Sequence, residues 1–453
     1  MAVAADGAVA PSREDPVVAS GSHAIGGPVG EHNRPHPWWT PLRVVLLLVT
    51  VAGMLNIVHT APCQAGAWWS NAAYADLCYS DVPLSYAGSG AAEGVLPYTD
   101  TASRYPVTTD PAPIAALSWS VATAGRALTG SDDSGDRATM AVADLARDRQ
   151  VQREAVNTYG VYAMAMLLAM LLIAVLLVRL SGWRPWDGAA FAAAPVLVLS
   201  ATIGWDLLGV AATVAGVAAS ACGRRVVAGI WLGTATAVAV WPLVVLVAML
   251  PIAYRTRGLR IWAAVSAVSA TVWAAWQLPV LVLATGTWWG TVNHSLDGQV
   301  GYGSLWRLAT SYGVPVSSAL LVGAVVVGLA VVAMAVLGLA VAARRPPRLA
   351  QLVLLLLVGG LLVWPVYSPQ YVLWLLPFAV LARPRWRDLL IWQTGEVFYH
   401  LAIWWTLAGA TADAGGVDDT YAFAIVVRVA AQLWLVATVA RDVLHPGHDP
   451  ART

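Results

Sequence analysis

Residues 314–342 read VPVSSALLVGAVVVGLAVVAMAVLGLAVA and carry no charged side chain. About 20 apolar residues suffice to cross the hydrocarbon core of a bilayer as a helix. Further apolar runs lie near 41–60, 157–178, 189–203, 206–222, 226–239, 241–253, 260–284, 349–365, 370–382, 388–408 and 419–440. Several of these are short and need tilt or neighbouring helices to span. The pattern predicts an all-α polytopic membrane protein with about 12 transmembrane segments.

The composition of the 453-residue chain agrees with this class. Hydrophobic residues make up 58% and charged residues 11%, whereas soluble proteins carry about 25% charged residues. The net charge of +1 provides no field to attract nucleic acid, so nucleic-acid partners are excluded. The lipid bilayer is the predicted partner.

All 26 basic residues counted as Lys or Arg are arginine, and their distribution predicts the orientation. With the N-terminus in the cytoplasm, the short inner loops hold 13 arginines and the short outer loops hold only Arg307. Positive loops favour the cytoplasmic side. Both termini are therefore predicted to be cytoplasmic, in the plasma membrane.

Five regions follow from these runs. They are a disordered cytoplasmic tail (1–40), a first transmembrane helix (41–60), an extracytoplasmic loop (61–155), a multi-helix bundle (156–440) and a second cytoplasmic tail (441–453). Within the loop, 111–128 and 136–155 have helical spacing and predict juxtamembrane helices on the outer surface. Cys63 and Cys78 lie in this oxidising compartment and are candidates for a disulfide.

Asp81 is the first candidate for chemistry. It follows Cys78-Tyr79-Ser80 in a loop rich in glycine, proline and tyrosine, and a carboxylate there can remove a proton from a hydroxyl nucleophile. The alternative is an aspartate that caps a loop helix. Glu93, farther along the same loop, is a candidate to orient a substrate.

Three further outer positions carry polar or charged candidates. Asp206 either caps the helix that follows Gly204-Trp205 or orients a polar ligand. Arg307 either binds a phosphate diester or snorkels toward lipid headgroups. His294 lies in the same Trp-rich connection as Arg307, at 285–313, and is a second candidate to orient a substrate.

The segment Tyr367-Ser368-Pro369-Gln370-Tyr371 joins two short apolar runs. Its hydroxyls and amide are uncharged donors on the outer side, although a Ser-Pro turn is also a common helix break. Deeper in the bundle, Glu396 and Arg428 are mid-span charges. Such charges usually pair with one another, which predicts a structural ion pair. A proton or substrate path is the alternative.

Several strings together resemble a known family. They are Cys78-Tyr79-Ser80-Asp81, Gly94 with Pro97-Tyr98, Gly204-Trp205-Asp206-Leu207-Leu208, Gly303-Ser304-Leu305-Trp306 and Ser368-Pro369-Gln370-Tyr371 through Pro377. From about residue 41 to 445 the chain resembles glycosyltransferase family 87 of the C-type superfamily. The Ser-Pro-Gln-Tyr string is the most specific part of this resemblance.

The resemblance implies a polyprenyl-phosphate-sugar-dependent transferase, with mannose as the guessed sugar and arabinose as a competitor. It implies a large first extracytoplasmic loop with surface helices, and it maps the family's acidic base onto Asp81. The family pattern places a lysine before an aromatic-Pro pair, and this chain has Ala239 there. That departure leaves Arg307 or Arg104, with Tyr367, Ser368 and Gln370, as candidates for the donor phosphate.

The sequence therefore predicts sugar transfer with inversion to a glycan, glycolipid or protein acceptor at the outer face of the membrane. No cofactor is required and no metal site is predicted, although a divalent metal is compatible with the chemistry. A transporter or flippase for a lipid-linked or polar substrate is the alternative. A non-catalytic relative is the third reading, and Ala239 is its main support.

Overall fold

The computed structural model describes residues 38–98, 104–105, 110–130, 136–296, 299–411 and 418–451, together with Ala2–Val3, Val9–Ala10, Pro16 and Ser20. The side chains of Ala2, Val3, Val9, Ala10, Ala67, Asp136 and residues 291–296 are outside this description. Most of the tail predicted at 1–40 lies outside the described residues, as does the end of the tail predicted at 441–453.

The chain divides into two units, Met1–Val44 and Val45–Thr453. The first contains β1 (Ala2–Val3) and β2 (Val9–Ala10), which pair antiparallel with Ala2 opposite Ala10. The described part of the second unit is helical. Helix α1 (Pro41–His59) begins in the first unit and continues in the second.

Helices then follow one another along the chain. The segment before the bundle contains α2 (Ala61–Gln64), α3 (Ala72–Ala75), α4 (Asp81–Gly88), α5 (Ala112–Thr129) and α6 (Val142–Leu145). The bundle contains α7 (Arg149–Leu180), α8 (Gly188–Ala192), α9 (Pro195–Ser200), α10 (Asp206–Ala221), α11 (Arg225–Val238), α12 (Leu243–Arg255), α13 (Leu259–Leu283), α14 (Thr285–Leu296), α15 (Leu305–Ser311), α16 (Ser318–Ala342), α17 (Leu349–Val363), α18 (Val372–Ala382), α19 (Trp386–Leu407) and α20 (Asp419–Leu444). Short 3₁₀ turns lie at Ala67–Trp69, Ala91–Glu93, Asp136–Thr139, Pro185–Asp187, Pro369–Tyr371 and Pro446–His448.

Among the described residues, five helices are long and apolar enough to cross a membrane: α1, α7, α13, α16 and α20. Shorter apolar helices occupy most of the remaining predicted runs. One run differs from its prediction, because 189–203 is divided into α8 and α9 rather than forming one helix. Pro195 begins α9, and a proline disfavours helical backbone at the residue before it.

The surface helices predicted from the sequence differ from the observed helices in one respect. Helix α5 closely matches the prediction at 111–128, but residues 149–155 already belong to α7, which continues without a break to Leu180. Helix α5 packs along α7. A Cβ on Gly125 would lie 2.2 Å from Thr158 Oγ1, so the absent side chain permits this close approach. The loop helices are thereby fixed directly to the bundle.

Two of the long helices are covered sparsely by the rest of the protein. Only 17% of the apolar window of α13 and 11% of that of α16 is buried inside the protein. Apolar surface on this scale requires an apolar surrounding. This supports a bilayer environment for the bundle.

At one end of the bundle, arginines are paired with acids and carbonyls. Arg383 is fully buried between Asp388, at 2.8 Å, and Asp442, at 2.5 Å. Arg348 contacts Asp449 at 2.7 Å and donates to the carbonyls of Leu381 and Ala382. These contacts tie the segment after α20 to the start of α17 and the end of α18. We call this the arginine end.

Candidate active site

Asp81 lies at the other end of the bundle, on a segment held in place from both sides. A disulfide joins Cys63 to Cys78, and Trp68 Nε1 donates to the Cys78 carbonyl at 3.0 Å. The Asp81 backbone N–H donates to the Ile203 carbonyl at 2.8 Å. The residue before it, Ser80, occupies the N-cap position of α4. Asp81 is therefore the first helical residue rather than the cap.

Asp206 has the same relation to its own helix. Trp205 is the N-cap residue of α10, and no side chain caps that helix. Asp206 Oδ1 instead accepts a hydrogen bond from Trp374 Nε1 at 2.7 Å. The capping alternative is thus not realised at Asp206. Its carboxylate is oriented by an aromatic side chain from α18.

The two carboxylates converge on Gly204. A Cβ built on Gly204 would lie 3.1 Å from Asp206 Oδ2, 3.2 Å from Asp81 Oδ2 and 3.6 Å from Gln370 Nε2. Tyr162 fixes this turn by donating to the Gly204 carbonyl at 2.5 Å. The glycine leaves an opening where any side chain would press against two carboxylates and an amide.

A cavity of about 850 Å³ extends from this point. Its wall is formed by α4, α5, the 204–206 turn and the start of α18. Asp81, Asp110 and Asp206 are the acids in this wall, and Ala239 contributes a methyl group to it. We call it the larger cavity. Its size suits a ligand of several rings, since small-molecule pockets span about 300–1,000 Å³.

A second cavity of about 390 Å³ shares Asp81 and Gln370 with the first. Its wall includes Tyr74, Tyr79 and Trp404, whose rings form a compact aromatic group. The ring centroids of Tyr74 and Tyr79 are 5.3 Å apart, and those of Tyr79 and Trp404 are 4.9 Å apart. We call this the smaller cavity. Asp81 consequently faces both cavities.

The surroundings of Asp81 alter its acidity. Burial raises the pKa of Asp81 from 3.8 to about 6, a hydrogen bond from Tyr79 partly opposes this, and the negative charge of Asp110 adds a smaller increase. The same burial and the Asp81 charge raise the pKa of Tyr79 above its ordinary value. A carboxylate with a pKa near 6 is a stronger base than an ordinary aspartate and is still mostly ionised at neutral pH.

Arg104 and Glu93 do not reach the site. Arg104 pairs with the Glu93 carboxylate and donates to the carbonyls of Met140 and Arg137. Glu93 also accepts from the Tyr105 hydroxyl at 2.6 Å. Neither side chain lines either cavity. The two side chains satisfy each other's charge away from the cavities, and the phosphate-binding role of Arg104 and the orienting role of Glu93 stay predictions.

Arg307 lies beside the smaller cavity. Its guanidinium stands 5.2 Å from the ring centroid of Tyr302, a residue of the cavity wall that is 45% exposed. Ser304 caps α15 by accepting from the Arg307 N–H at 3.0 Å. The side chain is exposed. His294 belongs to α14, and its side chain lies outside the described residues.

The predicted polar segment at 367–371 contributes directly to the walls of both cavities. Tyr367, Ser368 and Gln370 line the smaller cavity, and Gln370 also lines the larger one. The Ser368 hydroxyl donates to Gln370 Oε1, which leaves the amide Nε2 directed toward Gly204. The Tyr367 hydroxyl points away from the cavities and donates to Glu396 Oε2 at 2.8 Å.

Glu396 and Arg428 do not form the predicted direct ion pair. Glu396 accepts from Tyr367, Trp392 and Gln432 at 2.7–2.9 Å. The Arg428 guanidinium lies 3.6 Å from the ring centroid of Tyr367 and donates to the Gly303 carbonyl at 2.9 Å. The Tyr367 side chain therefore contacts both charged groups. The two charges fix the wall of the smaller cavity through this tyrosine.

Sequence reasoning did not select Trp374, Tyr371 and Asp110 as site residues. The rings of Tyr371 and Trp374 stack at 3.9 Å in the wall of the larger cavity, and Trp241 stacks behind Trp374 at 5.4 Å. Tyr371 and Trp374 belong to the string after Ser368 that carries the resemblance, which was the available signal. Asp110 precedes a proline in the loop and carries no such signal.

Within the part of the chain that the structure describes, no three His, Cys, Asp or Glu side chains come together as a metal site. No protein-family model matches the chain, and no curated protein matches it. The geometry around Asp81 therefore carries the functional argument.

Proposed function

We propose that this chain is an integral-membrane glycosyltransferase that moves a sugar from a polyprenyl-phosphate donor to an acceptor hydroxyl with inversion. The proposal includes a C-type bundle of about 12 transmembrane segments, similar to glycosyltransferase family 87. It places the active site at the outer face of the plasma membrane and both termini in the cytoplasm. The observation that carries the proposal is the position of Asp81, a basic carboxylate that faces two adjoining cavities.

The chemistry requires one base and one good leaving group. The Asp81 carboxylate takes the proton from the acceptor hydroxyl, whose oxygen forms a bond to the anomeric carbon. The bond from that carbon to the phosphate oxygen breaks on the opposite face, and polyprenyl phosphate leaves with the electron pair. Phosphate is already a good leaving group, so no second carboxylic acid is needed, unlike in glycoside hydrolysis.

Two cavities that meet at one base suit a reaction between two substrates. In this proposal the smaller cavity holds the sugar of the donor, and Arg307, whose guanidinium stands 5.2 Å from the ring centroid of Tyr302 in that wall, binds the donor phosphate. A guanidinium can bind phosphate with two parallel hydrogen bonds. The Gln370 amide borders both cavities and supplies an uncharged donor beside the reacting atoms.

The arrangement favours transfer over transport. Both cavities are lined by residues at the Asp81 end of the bundle. At the arginine end, Arg383, Asp388 and Asp442 form a buried ionic cluster. A transporter must expose its site to each side of the membrane in turn, and that cluster would have to open for it to do so.

The proposal is tested by measuring transfer in membranes that contain the full chain. The donors are radiolabelled polyprenyl-phosphomannose and polyprenyl-phosphoarabinose, with an envelope extract as the acceptor source. We expect Asp81→Asn to abolish incorporation of label and Arg307→Gln to raise the KM for the donor.

The matched control is Asp76→Asn, because Asp76 is an exposed carboxylate five positions earlier in the same loop. This variant should keep wild-type turnover. Wild-type turnover in a folded Asp81→Asn protein would refute the assignment of the base. Absence of transfer from both donors in the wild-type protein would favour a non-catalytic relative or a different donor.

A further inference from the structure

Two turns rich in arginine meet at the arginine end of the bundle. One joins α12 to α13 and the other joins α16 to α17, and between them they carry Arg255, Arg257, Arg260, Arg344 and Arg345. Arg255 Nη1 donates to the Ala340 carbonyl at 2.6 Å and to the Arg345 carbonyl at 3.4 Å. The Arg255 side chain therefore fastens the first turn to the second and brings the five arginines to one place.

Acids of the described chain do not balance the charge of these five arginines. Among the described residues, none of the five forms an ion pair. The acids that the structure places at this end pair with other arginines, and they are Asp187, Asp388, Asp442 and Asp449. Between Asp206 and Asp388 the sequence has one acid, Asp297, which the full length of α13 separates from Arg260.

An apolar groove leads away from the two turns along α12. This helix packs against α13, α16 and α17, and its remaining face carries Val247, Leu250 and Tyr254, all exposed. Spacings of three and four residues place these side chains on one side of the helix. Helices α13 and α16 are the two long helices that the protein covers least, with 17% and 11% of their apolar windows buried. We call the space along this face of α12, between α13 and α16, the lateral groove.

The backbone at Arg257 is in a conformation that favours glycine. Its φ is +59°, and the Gly258 N–H donates to the Ala253 carbonyl at 2.7 Å. This is the helix-ending turn in which the left-handed position is usually glycine. Arg257 is exposed, and its side chain makes no hydrogen bond or ion pair within the described part of the chain. Strained positions of this kind concentrate where a ligand is held, and a guanidinium here has only an external partner available.

The general excess of arginine on the cytoplasmic side of membranes requires no ligand. That rule concerns how many charges the loops carry and does not place them at the end of a groove. Arg385 provides the contrast, because it is equally exposed at the arginine end. It precedes α19, whose main neighbours are α20 and α9, so it stands away from the lateral groove.

We propose that the lateral groove binds an anionic phospholipid. Its phosphate contacts Arg257, Arg344 and Arg345, and an acyl chain lies along the exposed face of α12 between α13 and α16. Guanidinium groups bind phosphate oxygens with paired hydrogen bonds, and basic pockets between transmembrane helices suit anionic headgroups. This inference requires a bilayer but does not depend on the proposed transferase activity.

The test is native mass spectrometry of the full chain in detergent micelles, titrated with phosphatidylglycerol or with phosphatidylcholine of identical acyl chains. The two lipids differ only in the headgroup. We expect the first phosphatidylglycerol to bind at least about fivefold more tightly, which is the effect of one arginine near an anionic surface. The full chain is required because Asp6, Glu14, Asp15 and Glu31, four acids predicted on this side of the membrane, lie outside the described residues. If they occupy the arginines instead, the preference will be absent and the inference fails.

The position of the lipid is tested by photochemical labelling. Photoactivatable phosphatidylglycerol should label peptides from 243–260 and 318–345, and an excess of inorganic phosphate should not prevent this labelling. Labelling confined to other helices would overturn the inference. Loss of labelling in inorganic phosphate would show a site for soluble phosphate and would overturn the assignment to a lipid.

Variants separate a site from a general attraction to basic surface. Arg344→Gln/Arg345→Gln should remove most of the preference for phosphatidylglycerol, whereas the matched control Arg385→Gln should keep it. Arg257→Gly should also lower the preference while Tm stays the same or rises, because glycine suits the left-handed backbone. A preference that survives in both groove variants, or one that falls equally in Arg385→Gln, would overturn the inference.

Discussion

We expect the replacement of Asp81 by asparagine to stabilise the protein while it removes the proposed base. The carboxyl group is held in surroundings that favour its neutral form, because burial raises its pKa from 3.8 to about 6. At neutral pH the folded protein must keep this group ionised against that preference. Asparagine has nearly the same shape and an oxygen that can accept from Tyr79, but it never ionises.

The size of the effect follows from linkage between protonation and folding. One pKa unit corresponds to about 1.36 kcal/mol, so the raised pKa of Asp81 costs up to about 3 kcal/mol of folding free energy at pH 7. Between about pH 4 and pH 6 the folded state binds more protons at this group than the unfolded state does. Its contribution to stability is therefore greatest below pH 4 and is lost as pH rises to about 6.

The assay is unfolding of wild-type and Asp81→Asn protein in lipid nanodiscs at a series of pH values, with Asp76→Asn as the control. The difference in unfolding free energy between Asp81→Asn and wild type should grow by up to about 3 kcal/mol between pH 4 and pH 7 and then stay constant. The control should show no such growth. A difference that is independent of pH, or one that shrinks as pH rises, would refute the raised pKa and weaken the case for Asp81 as a base.

Further predictions concern the residues around Asp81, and the disulfide and buried hydrogen bonds that hold this end of the bundle. The transfer rate should rise with pH and level off above about pH 6, because Asp81 must be ionised; a flat pH–rate profile would contradict this. Gly204→Ala should slow transfer by up to about 100-fold without a comparable loss of stability, since the added methyl group lies against both carboxylates; a pre-steady-state rate equal to that of wild type would count against it. Loss of the disulfide in the double variant Cys63→Ser/Cys78→Ser should lower unfolding free energy by about 3 kcal/mol, measurable by denaturant titration, and an unchanged midpoint would contradict this. Glu396→Gln should lower unfolding free energy by about 1–3 kcal/mol, because it replaces one of the two carboxylate oxygens that accept buried hydrogen bonds from Tyr367, Trp392 and Gln432 with an amide donor; a stability equal to wild type in the same titration would show that the carboxylate is not needed there.

The positions of the helices were largely accessible from the sequence, because apolar runs and arginine clusters mark their ends. Helix α16 lies within the run 314–342, and α17 begins beside Arg348. The division of 189–203 was not anticipated, although Pro195 was visible in the sequence. An apolar run alone does not show where contacts with neighbouring helices allow the run to be interrupted and satisfy the backbone hydrogen-bonding groups at that break.

The residues of the candidate site could be predicted from the sequence only in part. Asp81, Asp206 and Gln370 were each selected from local sequence features, and the structure brings them together at one glycine. The pairing of Arg104 with Glu93 depends on how the loop folds back on itself, and no spacing rule reveals it. The position of Tyr367 between Glu396 and Arg428 likewise depends on how α19 and α20 pack against the connection that contains Tyr367.

The contact between Arg348 and Asp449 has a consequence for how the protein is made. Asp449 lies 101 positions after Arg348 in the chain, which a ribosome covers in roughly 5–20 s at typical elongation rates. During synthesis the Arg348 guanidinium therefore has no Asp449 carboxylate to pair with until 101 further residues have been added. Docking of the 446–449 segment therefore follows synthesis of the helix beside Arg348, and a nascent chain that has not yet reached Asp449 lacks this contact.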